Sequence, residues 1–194
     1  VPELFTGKRI GFALTGSFCT LAAVIPQLEK LTEEGAEVFP IVSSAVAQTD
    51  TRFGKAADWL EKLHRITGQV IWKSIVEVEP IGPKGLLDLL IIAPCTGNTL
   101  AKLALGITDS PVTMAAKAQL RNQRPVLLGI STNDALGANA SQLGKLLNKP
   151  HIFFIPFAQD DPAKKPNSMV AKMELLLESA QMALEGKQLQ PVLR

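Results

Sequence analysis

The chain has 194 residues, 46% of them hydrophobic, and its 20 basic and 18 acidic side chains leave a formal charge of +2. That is enough apolar material for one well-buried domain and too little for two. The charges are interspersed, with no basic stripe or polybasic block, and no apolar run approaches a membrane span, so neither nucleic acid nor a membrane is an expected partner. Cys19 and Cys95, the two cysteines, stand far apart without a ligand or disulfide spacing. That argues against a zinc site and for a reducing compartment. The opening VPELFTGKRIGFALTG lacks the pattern of a signal peptide, so a cytoplasmic protein is expected.

In chain order, residues 8–15 read as a first strand, Gly16 to Thr20 as a tight turn, and Leu21 to Glu34 as a helix that Gly35 stops. Pro26 lies inside that helix and is expected to bend it. Glu37 to Val42 forms strand two, ending in Ser43-Ser44. A helix over Asp50–Ile66, a short strand at Val70–Trp72 and an irregular stretch from Ser74 to Gly85 follow. Asp88 to Ala93 is a continuous apolar run suited to a strand buried on both faces. Next come helices over Asn98–Leu105 and Val112–Arg121, a strand at Pro125–Ser131, a helix from about Ala138 to Leu147 and a last strand at His151–Ile155. After the Pro- and Asp-rich loop PFAQDDPAKKPNS, a closing helix is expected over 167–186, capped by Asn167 or Ser168, with Met169, Met173, Leu176, Leu177, Ala180 and Leu184 on its core face. Alternating strands and helices of these lengths imply an α/β fold: one doubly wound, Rossmann-like three-layer sandwich around a mostly parallel sheet.

In such a sheet ligands bind beyond the carboxyl ends of the strands. Three ends converge there: Gly16-Ser17, Ser43-Ser44 and the stretch Pro94-Cys95-Thr96-Gly97-Asn98-Thr99. Small hydroxyl residues beside free helix-start N–H groups suit a phosphate-bearing ligand better than an acid–base or metal cluster. G-x-G-x-x-G and G-x-x-x-x-G-K-[ST] are both absent, so neither a standard dinucleotide site nor a P-loop is present. His64 and His151 are isolated and read as structural or surface residues. Either Cys19 or Cys95, each near a helix start, is open to a lowered thiol pKa by the same reasoning, which selects neither as a nucleophile. Arg52, following the strand-two serines, is the preferred contact for an acidic substrate, ahead of Lys102, Lys117 and Arg121.

GSFCT, the Ser-Ser strand end and above all APCTGNTLAKLALGITDS resemble the homo-oligomeric flavin-containing cysteine decarboxylases, whose version of the last segment runs A-P-A-S-A-N-T-x-A-K-x-A-x-G-I-A-D. The likeness extends from Lys8 to about Pro162. It implies FMN at the strand ends, near the interface between protomers of a trimer-based assembly, with Gly16, Ser17, Ser43, Pro94, Thr96, Asn98 and Thr99 facing the flavin or its phosphate. Where those enzymes carry a P-x-M-N-x-x-M-W substrate clamp, this chain reads Gly129-Ile130-Ser131-Thr132-Asn133-Asp134-Ala135-Leu136, keeping only Asn133 as a candidate substrate contact. Their catalytic His has no counterpart in Thr51-Arg52-Phe53-Gly54. The resemblance therefore implies an oxidoreductase component that works on a small dicarboxylate with an NAD(P)-binding partner chain. The alternatives are a flavin-dependent lyase and a non-catalytic component of the same complex.

Overall fold

A computed structural model describes residues 3–194. Five parallel strands form the heart of the sheet: β1 (Arg9–Leu14), β2 (Glu37–Val42), β3 (Leu89–Cys95), β4 (Val126–Thr132) and β5 (Ile152–Phe154). Two more, β6 (Phe157–Ala158) and β7 (Met169–Ala171), join antiparallel, giving the order β2-β1-β3-β4-β7-β6 with β5 also paired to β4. All seven residues of β3 are buried, because this strand is central and covered on both sides.

The helices are α1 (Leu21–Glu33), α2 (Ser44–Gln48), α3 (Ala56–Thr67), α4 (Ile75–Val78), α5 (Ile81–Lys84), α6 (Gly97–Leu105), α7 (Pro111–Arg121), α8 (Ala140–Leu147) and α9 (Leu176–Leu184). The crossover from β1 to β2 runs one way along the sheet and that from β3 to β4 the other. Right-handed connections therefore place α1 and α7 on opposite faces. α9 packs beside α1 over β3, β4 and β5, while α4 and α5 pack on α7. The reversal of direction falls between β1 and β3, and the cleft opens at their carboxyl ends.

α1 continues through Pro26; this residue and Ala22, whose carbonyl it cannot serve, both lie on the exposed face, where that carbonyl is open to solvent. Several expectations are corrected. The helix expected from Asp50 begins at Ala56, after Asp50 Oδ1 accepts from Ala56 N–H at 2.9 Å and Thr51 bridges Gly54. Val70–Trp72 is no strand but a single bridge from Trp72 to Ile41. The stretch 74–85, expected to be irregular, holds α4 and α5, the first secured by a reciprocal Ser74–Glu77 capping box. The largest correction is at the end of the chain. The helix expected over 167–186 spans only Leu176–Leu184, and neither Asn167 nor Ser168 caps it. Met169–Ala171 is strand β7, whose Val170 and Met169 pair with Ser131 and Thr132 of β4. Among the described residues no helix is long and apolar enough to cross a membrane, and no cluster of three or more His, Cys, Asp or Glu could hold a metal ion.

Candidate functional site

A cleft of about 760 Å³ lies over the carboxyl ends of β1, β3 and β4, within the size range of cofactor and substrate sites. Its floor is made of hydroxyls. Ser131 Oγ at the end of β4 lies 2.8 Å from Ser17 Oγ and 2.7 Å from Thr20 Oγ1, and those two lie 3.3 Å from each other. Each hydroxyl carries one proton and can also accept, so two protons hold the two short contacts and the third can point toward an anionic ligand.

The β3 side of the cleft is shaped by a bulge. Between the pairs Ile92–Leu128 and Cys95–Ile130, β3 advances three residues while β4 advances two. There the carbonyl of Pro94, a residue with no N–H of its own, accepts from Thr15 Oγ1 at 2.6 Å, and Thr15 Oγ1 accepts from Thr96 N–H at 3.0 Å. One buried threonine thus ties the end of β1 to the entrance of α6. Thr96 then caps that helix, its Oγ1 accepting from Thr99 N–H at 3.3 Å, and the first amides of α6 stay free of intrahelical acceptors.

Gly97 meets the β4 loop so closely that a Cβ there would lie 2.6 Å from Thr132 Oγ1, 2.7 Å from Asp134 Oδ1 and 2.8 Å from Asn139 Nδ2. Those three groups are locked to one another: Thr132 Oγ1 donates to Asp134 Oδ1 at 2.5 Å and Asn139 Nδ2 to Asp134 Oδ2 at 2.8 Å. Across the opening, the loop between β6 and β7 brings Asp160 and Lys165 to the rim, the one acid and the one base among the described residues lining the cleft. Lys165 Nζ lies 3.1 Å from Asp160 Oδ2. The Asp160 carboxylate raises the pKa of the ammonium. Burial disfavours the carboxylate itself, but the Ser168 hydroxyl and Lys165 beside it outweigh that and hold its pKa below the ordinary value.

Of the residues singled out from the sequence, Gly16, Ser17, Thr96 and Asn133 line this cleft together. Pro94 is buried in β3 and takes part through its carbonyl, and Thr99 is buried behind Thr96, whose Oγ1 donates to its hydroxyl at 3.1 Å. Asn98 is exposed on the first turn of α6. Ser43 sits one strand further out, capping α2. Arg52 is not among the cleft-lining residues; its guanidinium lies over the Phe53 ring, 4.8 Å from the centroid. Lys102 is held by Asp109, and Lys117 and Arg121 line a separate groove beside α7. Cys95 is buried, and burial alone pushes its thiol up to about 12, the reverse of an activated cysteine; Cys19 is exposed at the cleft. The Thr20 hydroxyl, legible beside Ser17 in the first glycine turn, lines the cleft as well, whereas the sequence reading missed Ser131, Thr132 and the Asp160–Lys165 loop. Ser131-Thr132 carried a usable signal, since they end an apolar strand in hydroxyls just as β1 and β3 do.

A sheet whose strand order reverses beneath a hydroxyl-lined cleft is a doubly wound ligand-binding architecture, and this chain belongs to the flavoprotein family, whose model matches residues 2–174. Within it, the chain is 60% identical over 187 residues to the B subunit of dipicolinate synthase from Bacillus subtilis (strain 168), covering 96% of this chain and 94% of that one. The crystal structure of the dipicolinate synthase B subunit from Bacillus halodurans superposes with a TM-score of 0.91 at 53% identity, over 98% of this chain and 97% of that one. The FMN-dependent cysteine decarboxylase SpaF shares the fold, with a TM-score of 0.67 at 19% identity over 93% of this chain and 98% of that one.

Proposed function

We propose that this chain is the B subunit of a dipicolinate synthase, working with the A subunit to oxidise a cyclic dihydrodipicolinate-type precursor to dipicolinate in the mother cell of a sporulating bacterium. One observation carries the reading: the 60% identity to the B subunit of a dipicolinate synthase runs almost end to end in both chains. Aromatising the ring removes two hydrogens from the precursor, and NAD(P) on the A subunit is the expected acceptor.

The residues present fit FMN at the strand ends. The donor set is neutral hydroxyls and unused helix-start amides, which is the chemistry of a phosphate cradle, and it lies in a cleft of adequate volume. Ser17, Thr20 and Thr96 would hold the group from the β1 and β3 ends and Ser131 from the β4 end; bound there, a flavin would supply two-electron redox chemistry. The chain's own part is to orient the ligand through the hydroxyl floor and to keep α6 seated so that its amides face the cleft. Asn133 contributes a side-chain amide at the cleft; in the resemblance to the decarboxylases it matches the asparagine of their substrate clamp. A trimer-based homo-oligomer completes the proposal.

The test is a visible absorption and fluorescence titration of the purified chain with FMN, followed by synthase assays with the A subunit. Saturable binding with flavin bands, weakened by Ser17→Ala or Thr20→Ala, is the expected result. Full synthase activity in a complex that never takes up flavin would remove FMN from the site.

A further inference from the structure

The loop 159–168 is fastened by its own backbone and by β4. Lys165 N–H donates to Asp161 O at 2.7 Å, Ser168 N–H to Lys165 O at 3.0 Å and Gln159 Nε2 to Pro166 O at 2.8 Å, while Ser168 Oγ donates to Thr132 O at 3.3 Å. The Lys165–Asp160 pair adds little to that frame, since its side chains are 55% and 30% exposed and exposed pairs contribute little. What the pair does is set the charge of the cleft. With Asp160 attached, the only lining cation among the described residues is neutralised; without it, the rim presents a mobile ammonium above a neutral hydroxyl floor.

On the reading of this chain as a synthase component that works on a small dicarboxylate, we propose that Lys165 determines specificity for the acidic end of the substrate. Asp160 is its resting counter-ion, displaced when the substrate carboxylate arrives. The ammonium is a compact charge with three rotatable donors on a flexible stem, suited to following a carboxylate that enters from solvent. A neutral analogue gains nothing, because it leaves the Lys165–Asp160 pair intact. A dicarboxylate can turn one acid group toward the Asn133 amide and offer the other to Lys165. Discrimination then arises from an exchange of counter-ions rather than from a fixed clamp.

Two substitutions with opposite expected signs test this. Lys165→Met should raise the Kd for pyridine-2,6-dicarboxylate, measured by calorimetry on the whole chain, and the KM of the assembled synthase, each by about three- to tenfold, with kcat nearly unchanged. Asp160→Asn should lower both by about two- to fivefold, because no counter-ion remains to be displaced, and raising the salt concentration should shrink both effects. If the pair merely braces the loop, both variants shift in the same direction, and that overturns the proposal. So does an unchanged Kd and KM in Lys165→Met. Both side chains are at the surface, so the variants should fold, as circular dichroism will show. A wild-type complex that makes no dipicolinate would instead sink the functional reading, which separates the two failures.

Discussion

Replacing Gly97 by Ala should destabilise this protein, although Ala is the residue that the cysteine decarboxylases carry in the matching A-S-A-N-T segment. The added methyl would lie within 3 Å of Thr132 Oγ1, Asp134 Oδ1 and Asn139 Nδ2, and none of the three is a free side-chain end. Relief requires either compression, at about 1–3 kcal/mol, or rupture of a hydrogen bond to the Asp134 carboxylate, at about 1.5–3 kcal/mol. Against this stands a gain of at most about 0.5–1 kcal/mol from replacing a helical glycine. The net is a loss of about 1 kcal/mol, which for a chain of this size lowers Tm by about 2–4 °C. Gly144 supplies the control: it lies within α8, where a Cβ meets nothing within 4 Å, so Gly144→Ala should stabilise by about 0.5–1 kcal/mol. Urea and thermal unfolding of both variants decide the matter. A Gly97→Ala protein as stable as the wild type, or more so, would refute the steric argument.

Ser131→Ala removes the hydroxyl that joins Ser17 to Thr20. It should reduce stability by about 0.5–1.5 kcal/mol and raise the Kd for FMN roughly fivefold, as read in the flavin titration. Thiol labelling with a water-soluble disulfide reagent at pH 8 should modify one cysteine per native chain. Cys19 is exposed, whereas Cys95 stays protonated until about 12 and is shut off from solvent. Rapid labelling of two thiols without denaturant would contradict the burial of β3.

The parallel core was legible because its signals are local and redundant: β3 is a run of buried aliphatics, and Gly35 and Gly106 stand where α1 and α6 end. The antiparallel extension was not. Met169, Met173 and Leu176 recur at helical spacing, yet Met169 belongs to a strand, because its backbone groups find partners on Thr132, far away in sequence. Periodicity reports which faces are apolar, and a distant ladder can override it. For the same reason Asp160 and Lys165 were invisible as a pair: a polar Pro-rich loop reads as solvent-exposed linker until β7 returns it to the sheet. Gly16, Ser17 and Thr96 were found because a general rule about strand ends applies residue by residue. Arg52 was proposed on proximity to a strand end alone, and the structure stacks it on Phe53 instead.

The hydroxyl floor joins Ser17 and Thr20 to Ser131, partners separated by 114 and 111 positions along the chain. No hairpin or helix pair can assemble it, because β3 must first be inserted between β1 and β4. Loop closure over such spans is among the slower demands on a folding chain. The hydroxyl floor therefore comes into existence only when β1, β3 and β4 stand side by side, and ligand uptake will serve as a clock for that step of folding, silent on any intermediate that lacks it.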